Sequence, residues 1–81
     1  MTVDKAFPER LTETMKQTGI APTELARKIG CSRWAVFQWK KGTNFPTAFY
    51  LAKLCRALNV SADYLLGLTD YNRQLSVFWR A

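Results

Sequence analysis

The stretch Pro22–Lys41, PTELARKIGCSRWAVFQWKK, decides the fold of this chain. Pro22 suits the first position of a helix, because a residue there needs no backbone N–H. Gly30 then interrupts the helical pattern, and it can adopt the positive φ that a tight turn requires. Ser32 is a residue type that caps the start of a helix. The segment therefore predicts two short helices joined by a tight turn, one over 22–29 and one capped at Ser32 and ending at residue 40 or 41.

Apolar residues give each of these two helices one inward face. Leu25 and Ile29 lie four residues apart, and Val36 and Trp39 lie three apart, so each pair falls on a single side of its helix. Ala26 is small enough to let the two helices approach closely. Two helices that cross steeply through a short turn containing glycine form a helix-turn-helix, whose second helix keeps its other face free.

Three further helices are predicted around this motif. Apolar residues at four-residue spacing and well-placed caps indicate helices from Pro8 to Gln17, from Thr47 to Leu58, and over a short segment capped by Ser61 that ends at Gly67. Near the C-terminus, Leu75, Val77 and Trp79 alternate with other residues, which is also compatible with a short strand. The fold class is therefore all-α, a compact bundle of five short helices.

The length of 81 residues suits one domain with one core. We expect residues 1–6 to be a flexible N-terminus, residues 7–67 to form the helix-turn-helix domain, and residues 68–81 to be a C-terminal tail that is a candidate dimerisation element. Nothing in a chain of this size and pattern indicates a second domain.

The charge of the chain is basic, with a formal net charge of +6 and a pI of about 9.8. A basic balance favours polyanionic partners, although a solvated surface alone would also carry such a charge. The distribution is more informative. Five basic residues of the central segment lie where no acid occurs between Glu24 and Asp63, a pattern expected of nucleic-acid binding: Arg27, Lys28, Arg33, Lys40 and Lys41.

Other chemistries find little support in the sequence. Cys31 and Cys55 form no CxxC pair, the chain has no histidine, and neither a nucleophile–base pair nor a phosphate-cradling loop is apparent. We therefore expect no metal, cofactor or small-molecule ligand and no enzyme activity. The N-terminus has no apolar signal-like run, and no stretch has transmembrane length, so we expect no membrane partner and a cytoplasmic location with reduced thiols.

With these features in place, the chain resembles the Cro and phage-repressor type of helix-turn-helix protein, the XRE-like transcriptional regulators of bacteria and phages. The resemblance covers roughly residues 7–67. It is carried by ELARKIG (24–30), CSR (31–33), WKKG (39–42), Pro46 and LAKLCRALNVSADYLLG (51–67). It implies a lambda-repressor-like domain that inserts its second motif helix, Ser32–Lys41, into the major groove of a double-stranded DNA operator, as a homodimer and most simply as a repressor.

Carried over position by position, the resemblance assigns DNA contacts to Ser32, Arg33, Trp34, Phe37, Gln38 and Lys41. The chemistry of several residues agrees. Arg33 can bond guanine in bidentate fashion, and Gln38 can bond adenine. Phosphate contacts, which set the register of the protein on DNA, are expected from Ser32, Lys41, Thr43 and Asn44.

The chain departs from the family pattern in three places. Pro22 replaces a polar residue, often glutamine, that grips a phosphate, and Ala21 replaces a Ser or Thr helix cap. Trp34 and Phe37 occupy positions that are usually small or polar. An aromatic ring there can contact a thymine methyl or a protein partner. These residues leave open a second function, that of a protein-interaction module on the same fold, such as an antitoxin or a regulator-binding protein.

Four aromatic residues have no evident place in the core: Phe45, Phe49, Phe78 and Trp79. One interpretation is that the tail folds back over the domain. The other is a homodimer interface that uses Phe49, the fifth helix and the tail. Phage regulator, antitoxin and restriction-modification controller are three subclasses of regulator that these residues fit equally.

Overall fold

The computed structural model describes residues 2–70, which form five α-helices and no strand. The prediction of an all-α bundle is confirmed. The strand considered around Leu75 to Trp79, and most of the tail proposed for dimerisation, lie outside the described residues. The helices are α1 (Val3–Thr18), α2 (Pro22–Ile29), α3 (Arg33–Lys41), α4 (Ala48–Leu58) and α5 (Ala62–Leu65).

Side-chain caps fix the start of three helices where the sequence predicted them. The hydroxyls of Ser32, Thr47 and Ser61 each accept a hydrogen bond from the backbone N–H three residues later. Ala21, which precedes α2, makes no such bond. The first turn of α2 therefore lacks a side-chain acceptor that is typically worth about 1 kcal/mol.

The first helix starts earlier than predicted. It begins at Val3 rather than Pro8, so residues 3–6 belong to α1 and not to a loose N-terminal segment. Pro8 costs the helix one hydrogen bond, but Ala6 and Phe7 are fully buried. Ala6 packs so closely on Gly67 that a Cβ on that glycine would lie 2.6 Å from the Cβ of Ala6. Burial of this first turn against the end of α5 explains why the helix extends through the proline.

A single core joins the five helices. It contains the predicted inward residues of α2 and α3, with Leu25 and Val36 fully buried and Trp39 3% exposed. Burial of side chains of this size stabilises a fold by about 1.5–3 kcal/mol each. Leu51 of α4 is only half-buried and packs against the edge of this core.

Arg10 ties α1 to α5 and to the residues that follow it. Its guanidinium donates hydrogen bonds to the backbone carbonyls of Tyr64 and Thr69 and lies 4.4 Å from the centre of the Tyr64 ring. It also forms a 3.1 Å ion pair with the exposed carboxylate of Asp70. Because a surface ion pair contributes little, the carbonyl and ring contacts are the main source of this attachment.

The end of α3 packs directly on the first helix. Gly42 terminates α3 with a φ of +81°, and a Cβ at this position would lie 2.9 Å from Cγ of Pro8. Gly30 terminates α2 with a nearly identical φ of +80°, but a Cβ there would meet nothing within 4 Å. The two glycines thus share one backbone conformation and differ in the space around them.

We predict that Gly42→Ala destabilises the protein more than Gly30→Ala. Both variants place an alanine in the left-handed region, at a cost of about 1–2 kcal/mol. Only Gly42→Ala also forces a methyl group against the rigid ring of Pro8, which adds about 1–3 kcal/mol. Urea denaturation of each variant measures the difference. In a Pro8→Ala background the two glycine substitutions should cost nearly the same, and an unchanged gap there would contradict the proposed clash.

Candidate nucleic-acid interface

The two sides of α3 differ sharply in burial. Val36 and Trp39 lie in the core, whereas Trp34 is 66% exposed and Phe37 is 42% exposed. Arg33 and Lys41 are exposed as well, and Gln38 is half-buried. Five of the side chains predicted to contact DNA therefore lie along the part of the helix that the core leaves free.

Hydrogen bonds at both ends hold this helix in place. Oγ of Ser32 accepts a bond of 3.2 Å from the N–H of Ala35. At the other end, the backbone N–H groups of Gly42 and Thr43 both donate to the carbonyl of Gln38, at 3.0 and 3.2 Å. Oγ1 of Thr43 lies 3.4 Å from the same carbonyl and also donates to it. Both residues that the sequence assigned to phosphate contacts at these ends, Ser32 and Thr43, are exposed and have structural roles too.

Asn44 has an arrangement that the sequence did not predict. Its Nδ2 donates a 3.2 Å hydrogen bond to Oε1 of Gln38 and retains a second N–H for the phosphate contact predicted at this residue. Its Oδ1 accepts a 2.9 Å bond from the backbone N–H of Phe45. The structure thus brings two predicted contact residues, Gln38 and Asn44, into direct contact with each other.

The fourth helix supports the turn of the motif. The hydroxyl of Tyr50 donates a hydrogen bond of 3.4 Å to the carbonyl of Gly30, and its ring lies 6.0 Å from that of Trp39. The ammonium of Lys53 lies 5.5 Å from the centre of the Tyr50 ring. Tyr50 therefore connects α4 to the turn and to α3. Sequence reasoning missed this role because no short-range pattern links residues 30 and 50.

Basic side chains are spread over the same half of the chain. No acidic residue occurs between Glu24 and Asp63. The basic residues of that interval on α2, α3 and α4 are partly or fully exposed: Arg27, Lys28, Arg33, Lys40, Lys41, Lys53 and Arg56. A surface of this composition raises the local concentration of anions.

Cys55 lies in the core, and Cys31 packs against it. Burial raises the pKa of the Cys55 thiol to about 11, from an ordinary value of 9.0. Burial also raises the pKa of Cys31, and the nearby positive charge of Lys53 opposes that shift. Within residues 2–70, no group of three or more Cys, Asp or Glu side chains is arranged to hold a metal ion. Over the same residues, no helix combines the length and apolarity needed to cross a bilayer.

The arrangement of α2, the turn and α3 agrees with a match to a known family. The family model described as helix-turn-helix matches residues 11–65. This chain belongs to the helix-turn-helix family. The match covers most of the helical domain, from the middle of α1 to the last residue of α5.

Two curated relatives are each 33% identical to this chain. One is the uncharacterized HTH-type transcriptional regulator YobD of Bacillus subtilis, aligned over 64 residues that make up 79% of this chain. The other is the cryptic phage CTXphi transcriptional repressor RstR of Vibrio cholerae, aligned over 69 residues or 83% of this chain. The chain spans only 57% and 62% of the lengths of these two relatives.

Solved structures of the P22 c2 repressor have the same helix-turn-helix fold. Its complex with synthetic operator 9T in the presence of Tl⁺ has a TM-score of 0.72 and 33% identity, covering 74% of this chain and 91% of that one. The NMR structure of its DNA-binding domain has a TM-score of 0.74 and 31% identity, covering 89% and 96%. The resemblance to phage repressors is thereby confirmed.

We predict that the Cys55 thiol makes stability fall at alkaline pH. Because its pKa is higher in the folded chain, the unfolded chain ionises first, and stability is lost as the pH rises from 9.0 towards about 11. Denaturant unfolding of the wild type and Cys55→Ala between pH 8 and pH 10.5 measures this loss. The wild type should lose stability more steeply than the variant, and parallel curves would rule out the buried thiol as the cause.

Proposed function

We propose that this chain is a sequence-specific DNA-binding transcriptional repressor that inserts α3 into the major groove of an operator. The observation that carries the proposal is the division of α3 into a buried side and a free side, on a fold shared with a repressor solved on its operator. The major groove is about 12 Å wide and admits one α-helix. The family match supports a regulator rather than an enzyme, and we place its action in the cytoplasm.

Base reading is assigned first to Arg33. Its side chain is exposed in the first turn of α3, and it has no hydrogen bond or ion pair within residues 2–70. A guanidinium in this position is available for the two acceptors of guanine, N7 and O6. Gln38, five residues further along the helix, is the second proposed reader of a base.

Phosphate contacts are proposed for Ser32, Lys41, Thr43 and Asn44. Ser32 and Thr43 lie at the two ends of α3, and Lys41 is exposed in its last turn. The hydroxyl of Ser32 uses an oxygen lone pair to cap the helix, which leaves its proton available to a phosphate oxygen. Contacts of this kind fix the register of α3 in the groove.

The exposed aromatic residues support both proposed functions. Trp34 and Phe37 lie three residues apart on the free side of α3, where they can cover thymine methyl groups in the groove. The 66% exposure of Trp34 also favours the second candidate, a module that binds a protein through the same side. Salt dependence separates the two, because each phosphate contact adds about 0.9 to the slope of log affinity against log salt.

A homodimer is proposed as the DNA-binding form. Phe49 is 83% exposed at the start of α4, and the interface suggested for it includes α5 and residues of the tail. A two-fold dimer would present two copies of α3 to half-sites about 34 Å apart, on one face of the duplex. Repression then follows from occupation of the operator.

We predict that Arg33→Ala weakens operator binding about 5- to 150-fold and relaxes specificity at one base pair, as loss of a bidentate contact to guanine requires. Selection of bound sites from random DNA, followed by titration of the selected duplex, measures both effects. Arg56→Ala removes an equal charge from α4 and serves as the control. An unchanged site preference in Arg33→Ala would refute its base-reading role. Absence of any selected site would refute the proposed function.

We predict that two chains bind each operator. We also predict that Phe49→Ser weakens the association of these two chains. Replacing an exposed aromatic ring by a small polar group removes apolar contact area without disturbing the core. Sedimentation velocity of the protein alone and with operator DNA gives the mass of each species. A single chain per operator at high protein concentration would contradict the homodimer.

A further inference from the structure

Asn44 and Gln38 take part in two consecutive hydrogen bonds that begin at the backbone N–H of Phe45. This N–H determines which atom of each side chain donates and which accepts. We propose that Asn44 is a positioning residue that fixes which edge of the Gln38 carboxamide faces DNA, and thereby the base that Gln38 selects. This inference rests on the proposed function and adds a residue that determines specificity.

The first of these hydrogen bonds fixes the orientation of Asn44. The N–H of Phe45 can only donate, so the side-chain atom of Asn44 that lies 2.9 Å from it must be the oxygen, Oδ1. The amide nitrogen, Nδ2, is then on the other branch of the same side chain. A rotated amide would set two donors against each other and leave the Phe45 N–H without its acceptor.

The second hydrogen bond transfers this orientation to Gln38. Because Nδ2 of Asn44 is a donor, the atom of Gln38 that lies 3.2 Å from it must be an acceptor, Oε1. The remaining end of Gln38 is Nε2, with two N–H donors. The orientation of a glutamine amide is usually free to reverse, but here a backbone N–H determines it through one intervening side chain.

The loop that carries Asn44 is itself held by Gln38. The carbonyl of Gln38 accepts hydrogen bonds from Gly42 and Thr43, the two residues that precede Asn44. The position of Asn44 therefore depends on the residue that it orients. Such an arrangement keeps the Gln38 side chain in one conformation before DNA binds and lowers the entropy lost on binding.

The free donors of Gln38 favour bases that present acceptors in the major groove. Both purines offer N7, thymine offers O4, and adenine adds an N6 donor that a second lone pair of Oε1 can accept. Cytosine presents only its N4 donor there, so an outward Nε2 discriminates against it. We expect the wild type to discriminate against cytosine and to prefer adenine at the base position read by Gln38.

The decisive variant is Asn44→Asp. An aspartate oxygen still accepts from the Phe45 N–H, but the other oxygen cannot donate to Gln38. The Gln38 amide then reverses, with Nε2 donating to the aspartate and Oε1 facing outward as an acceptor. Cytosine N4 becomes a partner, and the affinity ratio of cytosine to guanine, which presents only acceptors in the major groove, should rise by about tenfold at this position.

The experiment titrates the full chain and its variants against four duplexes. Each duplex is the site selected by the wild type, with a different base at one position. This position is the one at which Gln38→Ala abolishes the base preference. The added negative charge of Asn44→Asp lowers affinity for all four, and Asn44→Asp in the Gln38→Ala background measures that uniform loss. Asn44→Ala adds no charge, frees the Gln38 amide, and should reduce the discrimination against cytosine several-fold. Circular dichroism melting verifies that every variant is folded.

The outcomes separate this inference from the proposed function. The inference is supported if Asn44→Asp increases the affinity for the cytosine duplex relative to the guanine duplex and this increase disappears in the Gln38→Ala background. Unchanged base preference in Asn44→Asp and Asn44→Ala, with preference lost in Gln38→Ala, overturns the inference and leaves Gln38 as a reader. If Gln38→Ala alters no base preference, the inference is overturned while site selection through Arg33 stands. Absence of a selected site in the wild type overturns both.

Discussion

The burial of Val36 and Trp39 is the constraint on which the rest of the structure depends. These two side chains fix the rotation of α3 about its own axis, because any other rotation would expose them and draw Trp34 or Arg33 into the core. Tyr50 packs on Trp39 and bonds to the carbonyl of Gly30, so the same tryptophan also supports the turn. The free side of α3 is therefore aimed by apolar packing on its opposite side, with no contribution from DNA.

The axial position of the helix is controlled separately, at its ends. The Ser32 hydroxyl closes the first turn, and Gly42 closes the last where it meets Pro8 on α1. The core thus sets the rotation of α3 about its axis, and the contacts at its two ends set its position along that axis. Side chains within the nine-residue helix therefore set its rotation, and the two residues that flank it set its axial position.

Caps and apolar spacing, which act over a few neighbouring residues, predicted α2 to α5 correctly. They failed where contacts between distant residues determine the structure. Caps such as Ser32 and Thr47, and the spacing of Val36 and Trp39, act within one or two turns and are legible in the sequence. The start of α1 is not, because burial of Ala6 against Gly67, sixty-one positions away in the chain, outweighs the usual preference of Pro8 for a first turn. The Gln38–Asn44 bond was missed for a related reason. It depends on the path of a loop, and both residues are ordinary polar side chains when viewed singly.

The division of α3 into a packed side and a free side has a consequence for how this protein can change over evolutionary time. Substitutions at Arg33, Trp34 and Phe37 alter the chemistry presented to a partner with little effect on folding, since these side chains are exposed. Single substitutions can thus give new recognition properties while leaving the stability of the fold nearly unchanged. Gln38 is different, because it shares a hydrogen bond with Asn44, and variation at these two sites is expected to be correlated across descendants of this chain.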